Sequence, residues 1–321
     1  MTRGEHFQHD TPPELWHQHS HHHELYVDVM SQPSRACIIL CRLNKLSTQA
    51  AAMKKDTRVT MSSTCSSSFW PVTEKLVMVH KQQQKTEEYR RINPLQQVPC
   101  LVKVSSTNNK NNEIMFSLPE SCAILRYLCE RYELPDHWYP TTSSSTTSSS
   151  FGKELGSTNI VTLERQAYID SALHWYHSTL RYGCGGITFH KVVAYNVGAQ
   201  PVEAVAKISQ QRLMKALTQI EQVWLKNGAQ AFVGGDKPCI ADLLFVCELE
   251  QLNMLDFDND GVDMHSILRP FPLVNQWMRS VAHYCGPVYE DVHKLLRFAA
   301  KKRHEKLRQQ KKFKTHPKPK L

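Results

Sequence analysis

The 321-residue sequence predicts a small α/β domain followed by an all-α domain. Three observations carry this. Short strand-like runs alternate with helix-patterned segments as far as Tyr132. A low-complexity stretch, TTSSSTTSSSFGKELGST (141–158), then interrupts the chain. Every patterned segment after it has a continuous apolar stripe at helical period.

Residues 1–23 are polar and His-rich (WHQHSHHH, 16–23). They predict a disordered extension; such tracts can bind metal weakly, and no metal site is expected. LYVDVM (25–30) reads as a strand. Residues 33–44 read as a helix, with Ala36, Ile39, Leu40 and Leu43 on one face. Residues 47–70 contain SSTCSSSF and form a loop insertion. VTEKLVMVH (72–80) is a second strand. KTEEYRRINP holds a short helix that stops before Pro94, since a residue preceding proline is pushed out of the helical region. VPCLVKV (98–104) and IMFSL (114–118) are strands joined by SSTNNKNNE, so a hairpin with an insertion near 104–113 follows. ESCAILRYLCERY (120–132) is a strong amphipathic helix.

Beyond the Ser/Thr-rich stretch, helices are expected over 163–182, 202–225, 239–255 and 272–285; Asn227-Gly228 ends the second. The domain limits are 24–135, a linker at 136–158, 159–298, and a basic tail at 299–321.

The formal charge is +9. Residues 301–321 carry ten Lys/Arg and one Glu, so the tail holds all of it and the remaining chain is neutral. The folded body is therefore no basic nucleic-acid binder. No apolar run approaches the roughly 18 residues of a membrane helix, and no secretory signal is expected. The ten cysteines include no C-x-x-C pair, and Cys37, Cys41, Cys122, Cys129 and Cys247 read as small buried hydrophobes in a reduced compartment.

Six segments occur in one order: VMSQPSRA (29–36), INPLQQVPCL (92–101), FSLPESCAILRYL (116–128), DHWYP (136–140), WYHSTLR (175–181) and CIADLLFVCEL (239–249). Together they resemble the glutathione S-transferases, in particular the plant-type theta class, over about residues 24–300. The resemblance implies a thioredoxin-like domain followed by a helical one. It implies glutathione as co-substrate, conjugation of its thiol to small electrophiles, reduction of organic hydroperoxides, and a homodimer.

Site residues follow from that resemblance. Ser31, between a strand and a helix, is the hydroxyl that holds glutathione as thiolate. A free thiol has a pKa of ~8.5. A hydrogen bond to a charged group contributes roughly 1.5–3 kcal/mol, about one to two pH units, and a helix N-terminus adds positive potential. Taken alone, Ser31 and Pro33 are ordinary helix punctuation. Pro99 is expected in cis, with Val98 offering its main-chain N–H and C=O to the cysteinyl part and Gln97 beside it. Ser121 and the neighbouring amides hold the γ-glutamyl carboxylate, and Glu120 pairs with its ammonium. Gln84 and Lys85 reach the glycyl end. Arg181 faces the site from the second domain as a catalytic cation.

The family's Ser/Thr-x-x-Asp capping box is Cys239-Ile240-Ala241-Asp242 here, which weakens half of a structural cap while leaving Asp242 able to bond back. A non-catalytic interaction module is the alternative function. A cysteine-type thiol reductase is disfavoured by Ser31, because the nearest cysteine, Cys37, lies nearly two turns into the helix. For 301–321, three readings stand: a solvated tail, a nuclear or nucleic-acid address, and recognition of Pro-Lys-Leu by a peroxisomal import receptor. Cytoplasm and peroxisome are the expected locations, with the nucleus open. Removing the tail is expected to spare catalysis.

Overall fold

In the computed structural model the described residues are 21–47, 71–105, 113–141 and 155–315. The 48–70 insertion, the hairpin loop at 106–112, most of the Ser/Thr-rich stretch, the first twenty residues and Pro-Lys-Leu lie outside them.

The first half is one four-stranded sheet with helices against it. β1 (His21–Val27) and β2 (Val72–Leu76) pair in parallel, joined by α1 (Gln32–Leu43). α2 (Glu87–Ile92) precedes the hairpin of β3 (Cys100–Ser105) and β4 (Ile114–Pro119), and α3 (Ser121–Arg131) follows it. β3 runs antiparallel to β1, giving the order β2-β1-β3-β4. α1 forms where the sequence predicts it, and its Ala36, Cys37, Ile38, Ile39, Leu40 and Cys41 are all buried. Burial also pushes the thiols of Cys37 and Cys41 up, so they behave as the small hydrophobes expected.

β1 departs from expectation at both ends. It starts at His21 rather than Leu25 and stops at Val27 rather than Met30. Residues 21–23 therefore belong to the sheet and not to the extension. His23 is the reason: it is buried, its Nδ1 lies 2.7 Å from Tyr132 Oη and its Nε2 3.1 Å from Tyr127 Oη. Both rings meet it edge-on. β2 likewise ends at Leu76, and short 3₁₀ turns occupy Val79–Lys81 and Gln83–Lys85. The linker's start is also packed, since Trp138 and Tyr139 are buried and Ile240 N–H donates to Trp138 O.

The second half is helical: α4 (Leu155–Trp175), α5 (Arg181–Thr188), α6 (Ala194–Asn196), α7 (Glu203–Gln219), α8 (Ile240–Glu250), α9 (Phe257–Asp260), α10 (Met264–Leu268), α11 (Pro272–Cys285) and α12 (Pro287–Thr315). Single π-turns at Tyr176–Leu180 and Phe189–Val193 join α4, α5 and α6 into one helical run. That run passes well beyond Tyr182, where the predicted helix stops. Its glycines are contact points. A Cβ on Gly183 would lie 2.6 Å from Leu213 N, and one on Gly186 would lie 2.2 Å from Ser209 Oγ, so α5 sits hard against α7.

α8 is buried along its whole length and forms the centre of the helical half. α1 packs on it, and the two halves share one continuous apolar core. α12 crosses back over α1. Arg42, at the end of α1, bonds Glu74 of β2 and Asp291 of α12 at 2.6 Å each. The predicted basic tail is, as far as Thr315, the last turns of α12. Arg303 explains why it is ordered: it grips the buried Asp260 with both terminal nitrogens at 2.8 Å and donates to Met254 O.

Candidate functional site

Ser31 heads α1 with extended backbone angles, φ −83° and ψ 124°, yet its side chain makes no capping hydrogen bond. The main chain is held instead: Ser31 N–H donates to Asp28 O and Ser31 O accepts from Arg35 N–H. Two side chains fix this turn. Asp28 is buried and accepts from Met30 N–H at 2.8 Å and Val79 N–H at 2.9 Å, which ties the turn to the segment before Gln84. Arg35 is fully buried and donates to Val29 O, Met30 O, Cys247 O and Gln251 Oε1. Among the described residues the serine hydroxyl thus has no partner, and it stands on a rigid support at a helix N-terminus.

The Val98–Pro99 peptide is cis, as expected. Gln97 O is occupied by Tyr89 Oη at 2.7 Å and Asn93 Nδ2 at 2.8 Å, which anchors the segment from below. Among the described residues neither main-chain polar group of Val98 has a hydrogen-bond partner. Gln84 is buried and its Oε1 has no hydrogen-bond partner among the described residues, whereas Lys85 is exposed.

Glu120 stands at the N-terminus of α3 with φ 70° and ψ 112°, a strained conformation for a residue with a side chain. It is exposed, while Ser121 is buried. Cys122 follows, with its Sγ 3.3 Å from Nε2 of His177, one turn before Arg181. Burial and then Glu120 push the Cys122 thiol up to about 12. Burial lowers His177, against the pull of Glu120. These couplings bring Glu120, Ser121 and Arg181 to one end of α3.

Arg181 is not a loose surface arginine. Its Nη1 donates to Glu248 Oε2 at 3.0 Å and to Tyr176 Oη at 3.3 Å. Glu248 is fully buried, accepts from Tyr176 Oη at 2.9 Å, and takes Gln32 Nε2 on its other oxygen at 3.2 Å. Ser31 and Arg181 are therefore linked through Gln32 and Glu248. Burial raises the Glu248 carboxyl against the stabilising effect of Arg181, and Arg181 is held firmly protonated. Sequence reasoning missed Glu248, Tyr176, Asp28 and Arg35. One signal existed for Glu248: a charge inside the apolar run LLFVCELE has to be paired when buried.

Asp242 does what its place in the capping box implies, and more. It accepts from Cys239 N–H at 2.8 Å, Val233 N–H at 2.9 Å, Gly234 N–H at 3.2 Å and Trp277 Nε1 at 2.7 Å.

Residues 173–283 match the glutathione S-transferase C-terminal domain family. Glutathione S-transferase T3 of Arabidopsis thaliana is 32% identical over 89% of this chain, which spans 39% of that relative's length. Glutathione S-transferase T1 of the same plant is 31% identical, again over 89% of this chain and 93% of its own. Among solved structures, human glutathione transferase theta-2, in complex with glutathione and an unknown ligand, superposes with a TM-score of 0.63 at 24% identity. That likeness covers 88% of this chain and 91% of the other, and it carries the fold. With the sheet order, the cis-proline turn and the helical half all in place, the chain belongs to the theta class of the glutathione S-transferase family.

Proposed function

We propose that this protein is a serine-type glutathione transferase that joins the glutathione thiolate to small electrophiles. The observation that carries the reading is the Ser31 hydroxyl: it heads α1, makes no capping bond, and sits on a turn pinned by Asp28 and Arg35. Glutathione binds with its γ-glutamyl carboxylate on Ser121 and the first amides of α3, and its ammonium on Glu120. Val98 pairs with the cysteinyl main chain, and Gln84 and Lys85 meet the glycyl end. The Ser31 hydroxyl donates to the sulfur, and Arg181 adds positive charge. The thiol proton leaves to solvent, a carbon–sulfur bond forms, and the electrophile's leaving group departs with its electron pair.

The same thiolate reduces organic hydroperoxides. It attacks the peroxide oxygen and releases the alcohol, and a second glutathione converts the sulfenic product to glutathione disulfide and water. A homodimer fits two exposed apolar patches, Ile114, Met115 and Phe116 on the edge strand β4 and Ile160, Val161 and Leu163 on α4. Met115→Lys is expected to shift the light-scattering mass from dimer to monomer.

The deciding experiment is retention on glutathione resin followed by turnover of 1-chloro-2,4-dinitrobenzene and cumene hydroperoxide. Retention with turnover supports the reading. Retention without turnover of either favours the non-catalytic module.

A further inference from the structure

Glu248 is a fully buried carboxylate whose partners come from three separate elements. Gln32 reaches it from α1, Tyr176 from the π-turn after α4, and Arg181 from α5. Arg35 adds a further positive charge nearby, and the Cys184 thiol donates to the main-chain oxygen of the same residue at 3.0 Å. A Cβ on Gly185 would lie 3.7 Å from Glu248 Oε1, an ordinary contact distance, so α5 passes beside the carboxylate without crowding it. Arg181 spends only Nη1 on this cluster, and its side chain keeps 37% of its exposure. Nη2 and Nε have no partner among the described residues. The guanidinium therefore has one side on Glu248 and another side available to a ligand.

A cation 3.0 Å from a carboxylate is half of an ion pair, and its outward field is partly cancelled. We propose that Glu248 is a positioning residue for conjugation, which limits the charge Arg181 presents to the glutathione thiolate and locks that charge to the helix headed by Ser31. The inference rests on the function proposed above. Its physical consequence is counter-intuitive. Removing the carboxylate's charge strengthens the field of Arg181, so bound glutathione ionises more readily. A thiolate of lower pKa is also a weaker nucleophile, so the rate at high pH falls.

The test is Glu248→Gln in the full chain, with the bound thiol titrated by ultraviolet difference absorbance and kcat/KM for 1-chloro-2,4-dinitrobenzene followed against pH. Both inflections are expected to move down by about one pH unit, as the Arg181 charge is no longer offset by its carboxylate. A purely structural role would change stability and KM and leave the inflection where it was. An unmoved or raised inflection overturns the proposal. In an Arg181→Gln background the cation that Glu248 offsets is gone, and adding Glu248→Gln is expected to change nothing. The same downward movement in both backgrounds would show that the carboxylate acts directly and not through Arg181, which also overturns it.

Gln32→Leu cuts the link to α1 without touching the buried charge, so it reads the locking half even where Glu248→Gln is unstable. A several-fold rise in KM for glutathione with an unmoved inflection is expected, and an unchanged KM overturns that half. If the unsubstituted protein is not retained on glutathione resin, the proposed function fails instead, and this inference falls with it.

Discussion

Asp242 and Glu248 lie less than two turns apart on α8, and both are fully buried, but their partners differ in kind. Asp242 is met by three main-chain N–H groups and one indole, all within the helical half. Glu248 is met by side chains that arrive from both halves of the molecule. Main-chain donors are placed by the fold and cannot move away, so the first carboxylate reports on folding. Side-chain donors can each be exchanged without rebuilding the backbone, so the second reports on how the site is adjusted. One helix carries a structural anchor at its N-terminal end and a functional one near its C-terminal end.

That contrast is open to direct attack. Asp242→Ala strands buried N–H groups and is expected to cost about 3–5 kcal/mol, the range for removing one partner of a buried charged network. Urea unfolding measures it, and a cost below ~1 kcal/mol would erase the distinction between the two carboxylates.

His293 of α12 offers a pH-dependent version of the same question. It is fully buried, and burial, with Arg35 beside it, brings its pKa down to about 4. The folded state therefore prefers neutral imidazole. Its contribution is fully present above the unfolded pKa near 6.5 and is lost as pH falls from there to about 4, a swing of up to ~3 kcal/mol. Wild type is expected to lose stability over that window relative to His293→Gln, and parallel pH–stability curves would refute the assignment.

Ser31→Ala is expected to reduce conjugation roughly 10- to 100-fold, in line with one hydrogen bond to a charged sulfur. Because Ser31 makes no capping bond, unfolding free energy should hardly change, the reverse of the Asp242 result. An unaltered thiol pKa in the variant would remove Ser31 from the chemistry. The smallest effect belongs to Cys239→Ser, which restores a hydroxyl opposite Asp242 in the capping box and is expected to add ~1 kcal/mol or less. A loss of stability there would mean that the buried sulfur packs better than a hydroxyl caps.

Much of the architecture was legible because strand and helix periods differ and turn residues mark their ends. α1, the β3–β4 hairpin and α3 all form within two residues of where the pattern puts them. His23 was not legible, because a histidine run carries no apolar alternation and its two tyrosines lie more than a hundred residues away. The basic turns of α12 failed for a related reason. Composition describes a segment in isolation, and Arg303 is ordered by Asp260, which belongs to another element. At the site, motif order pointed to Ser31, Glu120, Ser121 and Arg181 as candidates. It could not supply Glu248, since the pairing of Gln32 with Arg181 through one carboxylate is a property of three-dimensional packing.

α12 has a mechanical consequence. Its 29 residues form a rod about 43 Å long. Tension applied near Thr315 would travel along that rod to Asp291, pass through Arg42 into the far end of α1, and so load the helix that carries Ser31 at its other end. Tethering the protein to a surface or a fusion partner through its basic end is therefore not neutral with respect to the site. The clamp of Arg303 on Asp260 would divert only part of such a load before it reaches α1, and removing the chain beyond residue 300 would take that clamp away.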